Sequence, residues 1–301
     1  MSKRSIIHML DPNVRNSPFD INMALDAGFD AIIPYPNIKI EEVAGMTQDA
    51  IFSRGPAGVK KTAMFIGGRD MGLAMDMLAE AKNAMVPPFE ISVFADPSGA
   101  FTTAAALVAC VESQLKQHFS LDLKGLKAVV FGGTGPVGLA TAVIAAEQGA
   151  DTTIVDHFSI DTALEYANEA KQRYDVNLRG TTAASDADKA RLVAKADIIF
   201  CTAKAGIQVL NASVLEDATN LKVAGDVNAV PPLGIEGIEL MDLGAPLKLA
   251  INAEGAVGIG ALAVGNVKYQ LQQNLLAETL NTEKPVYFDF RNAFEAARQL
   301  V

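Results

Sequence analysis

Three glycines, Gly133, Gly135 and Gly138, sit between an apolar run and a helical run in the segment KAVVFGGTGPVGLATAVIAA. A G-x-G-x-x-G turn that follows a strand and opens a helix constrains the fold more than any other feature of this chain. Such a turn brings backbone amides close to a phosphate, and the helix behind it offers its unpaired N–H groups and positive dipole end. Gly135 then removes a Cβ from the path of a pyrophosphate, and Gly138 lets the helix pack closely on the strand. Thr134 adds a hydroxyl donor and Val137 completes the first turn. Pro136 suits the start of the helix, where its missing N–H is no loss. The plainer reading is a tight strand-to-helix turn without a ligand.

Asp156 closes the next apolar run, 18 residues beyond Gly138. A carboxylate there accepts hydrogen bonds from ribose hydroxyls and repels a 2′-phosphate, so the pattern predicts NAD in preference to NADP. The adjacent His157 softens that discrimination and keeps NADP admissible. A capping or solvated aspartate is the alternative for Asp156.

The rest of the chain alternates apolar runs with helical patterns, which predicts two α/β domains, the second a Rossmann-type doubly wound parallel sheet. At 301 residues the chain is long enough for both. The first domain reads strand (SIIHML), helix (SPFDINMALDAG, with Ser17 as cap), strand (AIIPY), helix 41–48, strand 62–68, helix 70–84 and strand 89–95. A helix over 102–119 leads out of it. The second reads strand 127–131, helix 136–148, strand 152–155, helix 160–173, a weak segment at 176–182, helix 186–195, strand 197–201 and a strand in KVAGDVN. The stretch INAEGAVGIGALAVGNVK is expected to open a helix, and YFDFRNAFEAARQLV to be the last one. These patterns place a substrate domain at 1–118 plus 280–301 and a dinucleotide domain at 119–279.

Charge and composition remove several classes. Twenty-five basic against thirty-five acidic residues give a net charge of −10, which opposes a nucleic-acid backbone or an anionic membrane as partner. No apolar run approaches ~18 residues and MSKRSIIHML lacks a secretory h-region, so a cytoplasmic protein is expected. Cys110 and Cys201 have no CxxC partner and read as small buried apolar residues. His8, His118 and His157 lack metal-ligand spacing, so no metal is expected. Neither a GxSxG elbow nor a Walker lysine is present, which leaves hydride transfer as the chemistry for a dinucleotide and a second domain.

Polar clusters follow the carboxyl ends of several predicted strands, where α/β sheets hold ligands. CTAKAG contributes Thr202 and Ala203, and DVNAVPPLG contributes Asp226 and Asn228, to the cofactor side. DPSGAFTT contributes Asp96, Ser98, Gly99, Thr102 and Thr103; it reads equally as recognition of a heterocycle or as a turn with Thr102 capping a helix. Lys268 edges the uncharged run GIGALAVGNV, either as a functional cation or as a lysine whose stem snorkels from an apolar helix. Arg54, Lys60 and Lys61 read as anion contacts or as solvated loop residues.

Over nearly its whole length the chain resembles the NAD(P)-dependent methylene-tetrahydromethanopterin dehydrogenases of methylotrophic bacteria, in the branch that accepts NAD. The resemblance rests on SPFD, FIGGRDM, DPSGAFTTAAA, KAVVFGGTGPVG, DVNAVPPLGIEGI and VGNVK. NADP-specific relatives are basic after the second strand of the nucleotide domain, whereas this chain reads VDHF. The resemblance implies oxidation of a methylene carrier to the methenyl form in formaldehyde oxidation, without flavin or metal. It also implies a cleft between the two domains, a homo-oligomer (trimer or hexamer), Lys268 as the catalytic residue, and Phe19 and Asp20 of SPFD beside the pterin carrier. A methylene-tetrahydrofolate dehydrogenase and a non-catalytic NAD-binding sensor are the competing readings.

Overall fold

Strand β1 (Ile6–Asp11) is followed by α1 (Pro18–Asp26), β2 (Ala31–Pro36), α2 (Ile40–Phe52), α3 (Gly55–Val59), β3 (Thr62–Ile66), α4 (Met71–Asn83), β4 (Ser92–Ala95) and α5 (Ala100–Phe119). Then come β5 (Lys127–Phe131), α6 (Pro136–Glu147), β6 (Asp151–Asp156), α7 (Ile160–Tyr174), β7 (Arg179–Thr182), α8 (Asp186–Val193), β8 (Ile198–Cys201), α9 (Ala212–Leu215) and β9 (Val223–Asp226). The chain ends with β10 (Leu243–Pro246), β11 (Val257–Ile259), α10 (Ala261–Asn281), β12 (Tyr287–Phe288) and α11 (Phe290–Ala297). This computed structural model describes residues 3–301.

Two compact units form, one from residues up to 102 with 269–293, the other from 103–268 with 294–301. In the first, five parallel strands run in the order β12-β4-β3-β1-β2, so the order reverses between β1 and β3. Every residue of β3 and β4 is buried, as expected of parallel strands covered on both faces. Phe65, Phe94 and Phe288 stack edge to face along this core, at 5.5 and 6.1 Å between ring centroids. Burial of each such ring contributes about 1.5–3 kcal/mol.

The second unit holds seven strands in the order β10-β11-β9-β8-β5-β6-β7, parallel except for β10 against β11. From β7 to β11 this is the doubly wound nucleotide order, with the reversal between β5 and β8. Helix α6 is buried from Gly138 to Ala145 without a polar stripe, because every residue of LATAVIA except Thr141 is apolar.

Several sequence expectations need correction. Residues 257–259 form β11 rather than the start of a helix, which begins at Ala261. Strand β10 and helices α3 and α9 were not expected, and Tyr287–Phe288 pair with β4 instead of opening the last helix. The weak segment at 176–182 resolves as β7. The predicted domain boundaries, 118/119 and 279/280, fall inside α5 and α10, and the compact units divide after the third residue of α5 and the eighth of α10. The body of α5 groups with the second unit because Leu107 packs against Gly225 of β9, where an added Cβ would lie 2.6 Å from Leu107 Cδ1. The C-terminus joins that unit through Arg298, which grips both oxygens of Glu112 at 2.8 Å. Arg54 is a structural tie: its guanidinium donates to the Arg4 and Lys61 carbonyls and to Thr62 Oγ1.

Candidate active site

The turn between β5 and α6 is built on four glycines. Gly132, not Gly133, takes the left-handed conformation (φ 74°), and a Cβ there would lie 2.7 Å from Ala203 Cα. A Cβ on Gly138 would come within 2.2 Å of the Gly132 carbonyl oxygen and 2.7 Å of Thr202 Oγ1, so the helix rests directly on the turn. At Gly135 the nearest such atom is the Gly132 oxygen at 3.4 Å, leaving the approach to the first helical turn clear.

Gly135 is the N-cap of α6 and supplies no side-chain acceptor, and Pro136 begins the helix. By contrast, Ser17, Asp70, Ser159 and Ser185 each accept a first-turn amide in α1, α4, α7 and α8. The amides of Val137 and Gly138 therefore start a helix that its own cap side chain does not serve. An uncapped helix start behind a glycine cradle fits a pyrophosphate.

Asp156 lies at the carboxyl end of β6, the neighbour of β5. Its Oδ2 accepts from Thr134 Oγ1 at 2.7 Å, and its Oδ1 accepts from the Phe158 and Ser159 amides at 2.8 and 2.9 Å. Partial burial opposes the charged carboxylate, but these bonds and the charge of His157 outweigh it and hold Asp156 below the usual carboxylate range. Thr134 thus serves the acid. His157 stacks edge to face on Phe158, which is 89% exposed.

On the other side of β5, Thr202 Oγ1 donates to the Phe131 carbonyl at 2.9 Å, pinning the segment after β8 to the glycine turn. Asp226 ends β9 almost fully buried and accepts from the Asn228 and Ile235 amides. Burial pushes its carboxyl up, an effect that these amide bonds, the Gly234 amide and the Cys201 thiol partly offset. Asn228 Oδ1 accepts from the Gly206 and Val230 amides, each at 3.0 Å, while its Nδ2 donates to the Pro232 carbonyl at 2.8 Å. Asp226 and Asn228 are engaged as internal struts.

In the first unit, the expected carrier-side residues Phe19, Asp20, Asp96, Ser98, Gly99 and Thr102 gather at the carboxyl edge of the sheet. Phe19 is half exposed, whereas Asp20 is buried and accepts from Gln272 Nε2 at 2.8 Å. Asp96 and Thr102 are fully buried together: Thr102 Oγ1 donates to Asp96 Oδ2 at 2.6 Å, and Asp96 Oδ1 takes the Phe101 and Thr102 amides. Asp96 therefore caps α5. Ser98 Oγ donates to the Gly68 carbonyl at 2.7 Å, joining the loops after β3 and β4. Thr103 is the next residue of α5 and groups with the second unit.

Two groups at this edge escaped the sequence reading. Asp11 ends β1 beside the reversal of strand order, its Oδ2 only 2.7 Å from where a Cβ on Gly67 would stand. Burial raises its carboxyl, partly offset by hydrogen bonds from Asn13 and Gly68 and by the charge of Arg69. Asn16 donates to the Met9 carbonyl and keeps a buried Oδ1 without a hydrogen-bond partner. The strand-end rule that flagged the other clusters also covers HMLDPN, so Asp11 had a sequence signal.

Lys268 is half-buried on α10, four residues before Gln272 and hence one turn away on the same face. Among the described residues no group of three or more His, Cys, Asp or Glu side chains is placed to hold a metal ion. No helix among them is long and apolar enough to cross a membrane.

Residues 18–98 match the family model described as methylene-tetrahydromethanopterin dehydrogenase, N-terminal. The chain is 45% identical over 297 residues, 99% of each chain, to the NAD(P)-dependent methylenetetrahydromethanopterin dehydrogenase of Methylorubrum extorquens. It is 31% identical over 300 residues, the full length of both, to that organism's protein named Bifunctional protein MdtA. Among solved structures, a Listeria monocytogenes shikimate 5-dehydrogenase has a TM-score of 0.52 at 14% identity, covering 99% of this chain and 96% of its own. A Corynebacterium glutamicum quinate dehydrogenase has 0.50 at 12%, with 98% of each covered. These two likenesses establish the fold alone. At 45% identity over nearly the full length of both chains, the protein belongs to the methylenetetrahydromethanopterin dehydrogenase family.

Proposed function

We propose that the chain transfers a hydride from the methylene group of methylene-tetrahydromethanopterin to NAD, leaving the methenyl form, with NADP accepted less well. The observation that carries the choice of NAD is the carboxylate of Asp156, held at the glycine turn by Thr134 and two backbone amides. A fixed negative charge at the end of β6 suits ribose hydroxyls and repels a 2′-phosphate.

NAD supplies the hydride acceptor. The carbon that gives up hydride lies between two nitrogens whose lone pairs stabilise the cation left behind, so no general base is needed there. The protein's part is to orient the reactants, exclude water and tolerate the new positive charge. The Gly132–Gly138 turn and the α6 amides receive the pyrophosphate, and Asp156 fixes the adenosine ribose. Phe19 and Asp20, with Asp11 and Asn16 at the same sheet edge, are the groups proposed for the pterin. Lys268 is the proposed catalytic residue, contacting a carbonyl of pterin or nicotinamide rather than placing a full charge beside the reacting carbon.

The deciding experiment is an initial-rate assay with methylene-tetrahydromethanopterin and each nicotinamide nucleotide. Reduction of NAD at the higher kcat/KM is expected; faster turnover of methylene-tetrahydrofolate, or binding of NAD without turnover, overturns the assignment. A cytoplasmic homo-oligomer, trimeric or hexameric, belongs to the same reading. Light scattering on the eluting protein measures the subunit number.

A further inference from the structure

The loops after β8 and β9 share one connector. Asn228 is 4% exposed and spends both ends of its amide inside the protein, accepting from Gly206 and Val230 and donating to Pro232. Gly206 belongs to the loop after β8, whereas Val230 and Pro232 belong to the loop after β9. Asp226 anchors the second loop at both ends through the Asn228 and Ile235 amides. The first loop is fixed at its root, where Thr202 bonds to Phe131 and Ala203 lies against Gly132.

The loop after β9 exposes the apolar run from Ala229 to Pro232, and the loop after β8 adds Ile207 between the exposed polar residues Lys204 and Gln208. Ile207 is 49% exposed and Val230 is 53% exposed, and the Gly206 backbone approaches Val230, where a Cβ would lie 3.7 Å from Val230 Cγ1. In a doubly wound sheet each half binds one mononucleotide beyond its strand ends. Asp156 and the loop after β6 occupy the adenosine half, so the β8 and β9 loops fall to the other half. An exposed apolar pair there offers a surface against which the flat nicotinamide ring can lie.

We infer that Asn228 is a positioning residue: by tying Gly206 to the loop after β9 it sets Ile207 and Val230 as a clamp for the nicotinamide half of the dinucleotide. The inference deepens the NAD reading and rests on it. Asn228, expected from the sequence on the cofactor side, has its Oδ1 engaged by two backbone amides and its Nδ2 by the Pro232 carbonyl. It acts through the two loops.

The test compares binding of NAD and AMP to the full-length protein by calorimetry, since AMP carries only the adenosine half. Asn228→Ala is expected to weaken NAD about tenfold, the scale of one or two net hydrogen bonds, with AMP unchanged and kcat with methylene-tetrahydromethanopterin reduced. Should Asn228→Ala fold poorly, Ile207→Ser and Val230→Ser test the same clamp from exposed positions, with the same selective loss expected. An unchanged ratio of NAD to AMP affinity in these variants overturns the inference, as does an equal loss of both ligands. Wild-type protein that binds neither nucleotide overturns the NAD reading and this inference with it, a result distinguishable from the other two.

Discussion

Thr134 Oγ1 donates a 2.7 Å hydrogen bond to Asp156 Oδ2, so the glycine turn after β5 carries the support for the acid at the end of β6. Asp156→Ser should raise KM for NAD about tenfold or more and move the NAD/NADP ratio of kcat/KM toward NADP, since it removes a charge-assisted contact. Thr134→Val should shift the same ratio in the same direction but less, because the Phe158 and Ser159 amides still hold the carboxylate. Initial rates with both nucleotides measure it. An unchanged ratio in Asp156→Ser would place the acid away from the ribose.

The same bonds set a pH dependence. Asp156 titrates below 3.8 in the folded chain, so its contribution is complete above that value and is lost as pH falls through the lower folded value. NAD affinity should therefore show no Asp156 limb between about pH 5 and 8. A limb in that window that disappears in Asp156→Asn would contradict the assignment.

Lys268→Ala should lower kcat/KM at least about 100-fold, roughly 2.7 kcal/mol of transition-state stabilisation, with NAD binding retained. Stopped-flow hydride transfer reads this directly. Near-normal rates would remove Lys268 from the chemistry.

Gly138→Ala sets a Cβ against the Gly132 carbonyl oxygen and Thr202. The turn and α6 must separate, at about 1–3 kcal/mol of stability, and NAD binding should fall further than the loss of Tm alone explains. Thermal melts with and without NAD separate the two effects. Wild-type affinity in this variant would argue against a tightly shaped cradle.

Gln272→Leu removes a donor from the buried Asp20 carboxylate. Leaving a buried acceptor short of a partner costs about 1–3 kcal/mol, and more when it is charged. Denaturant melts should show this loss, and the KM for the pterin carrier should rise while that for NAD stays put.

The glycine turn, Asp156 and the run of parallel strands were legible because each is a local pattern whose period or spacing is its own signal. Strands β10 and β11 were not. LGAP and VGI are three or four residues long and carry glycine or proline, and only pairing across the sheet makes them strands. The clusters DPSGAFTT and DVNAVPPLG were visible as polar segments at strand ends, but what their side chains do was not. Asp96 turns inward to Thr102 and the α5 amides, and Asn228 to Gly206, 22 residues earlier. The Asn228 partner is set by tertiary structure, while the Asp96 partners are local, and in both cases a polar residue beside a ligand reads the same in sequence as one that braces a loop or caps a helix.

Both thiols of the chain are sealed in. Cys110 is buried, which pushes its thiol up to about 12, and Cys201 lies against Asp226, where burial first and the neighbouring carboxylate second push it well above 9. Thiolate, the reactive form, is therefore scarce at neutral pH. The folded protein is thus a silent background for maleimide chemistry. A single cysteine placed at the exposed Phe158, two residues past the acid, would take one fluorophore and report nucleotide arrival without any native residue competing for the dye.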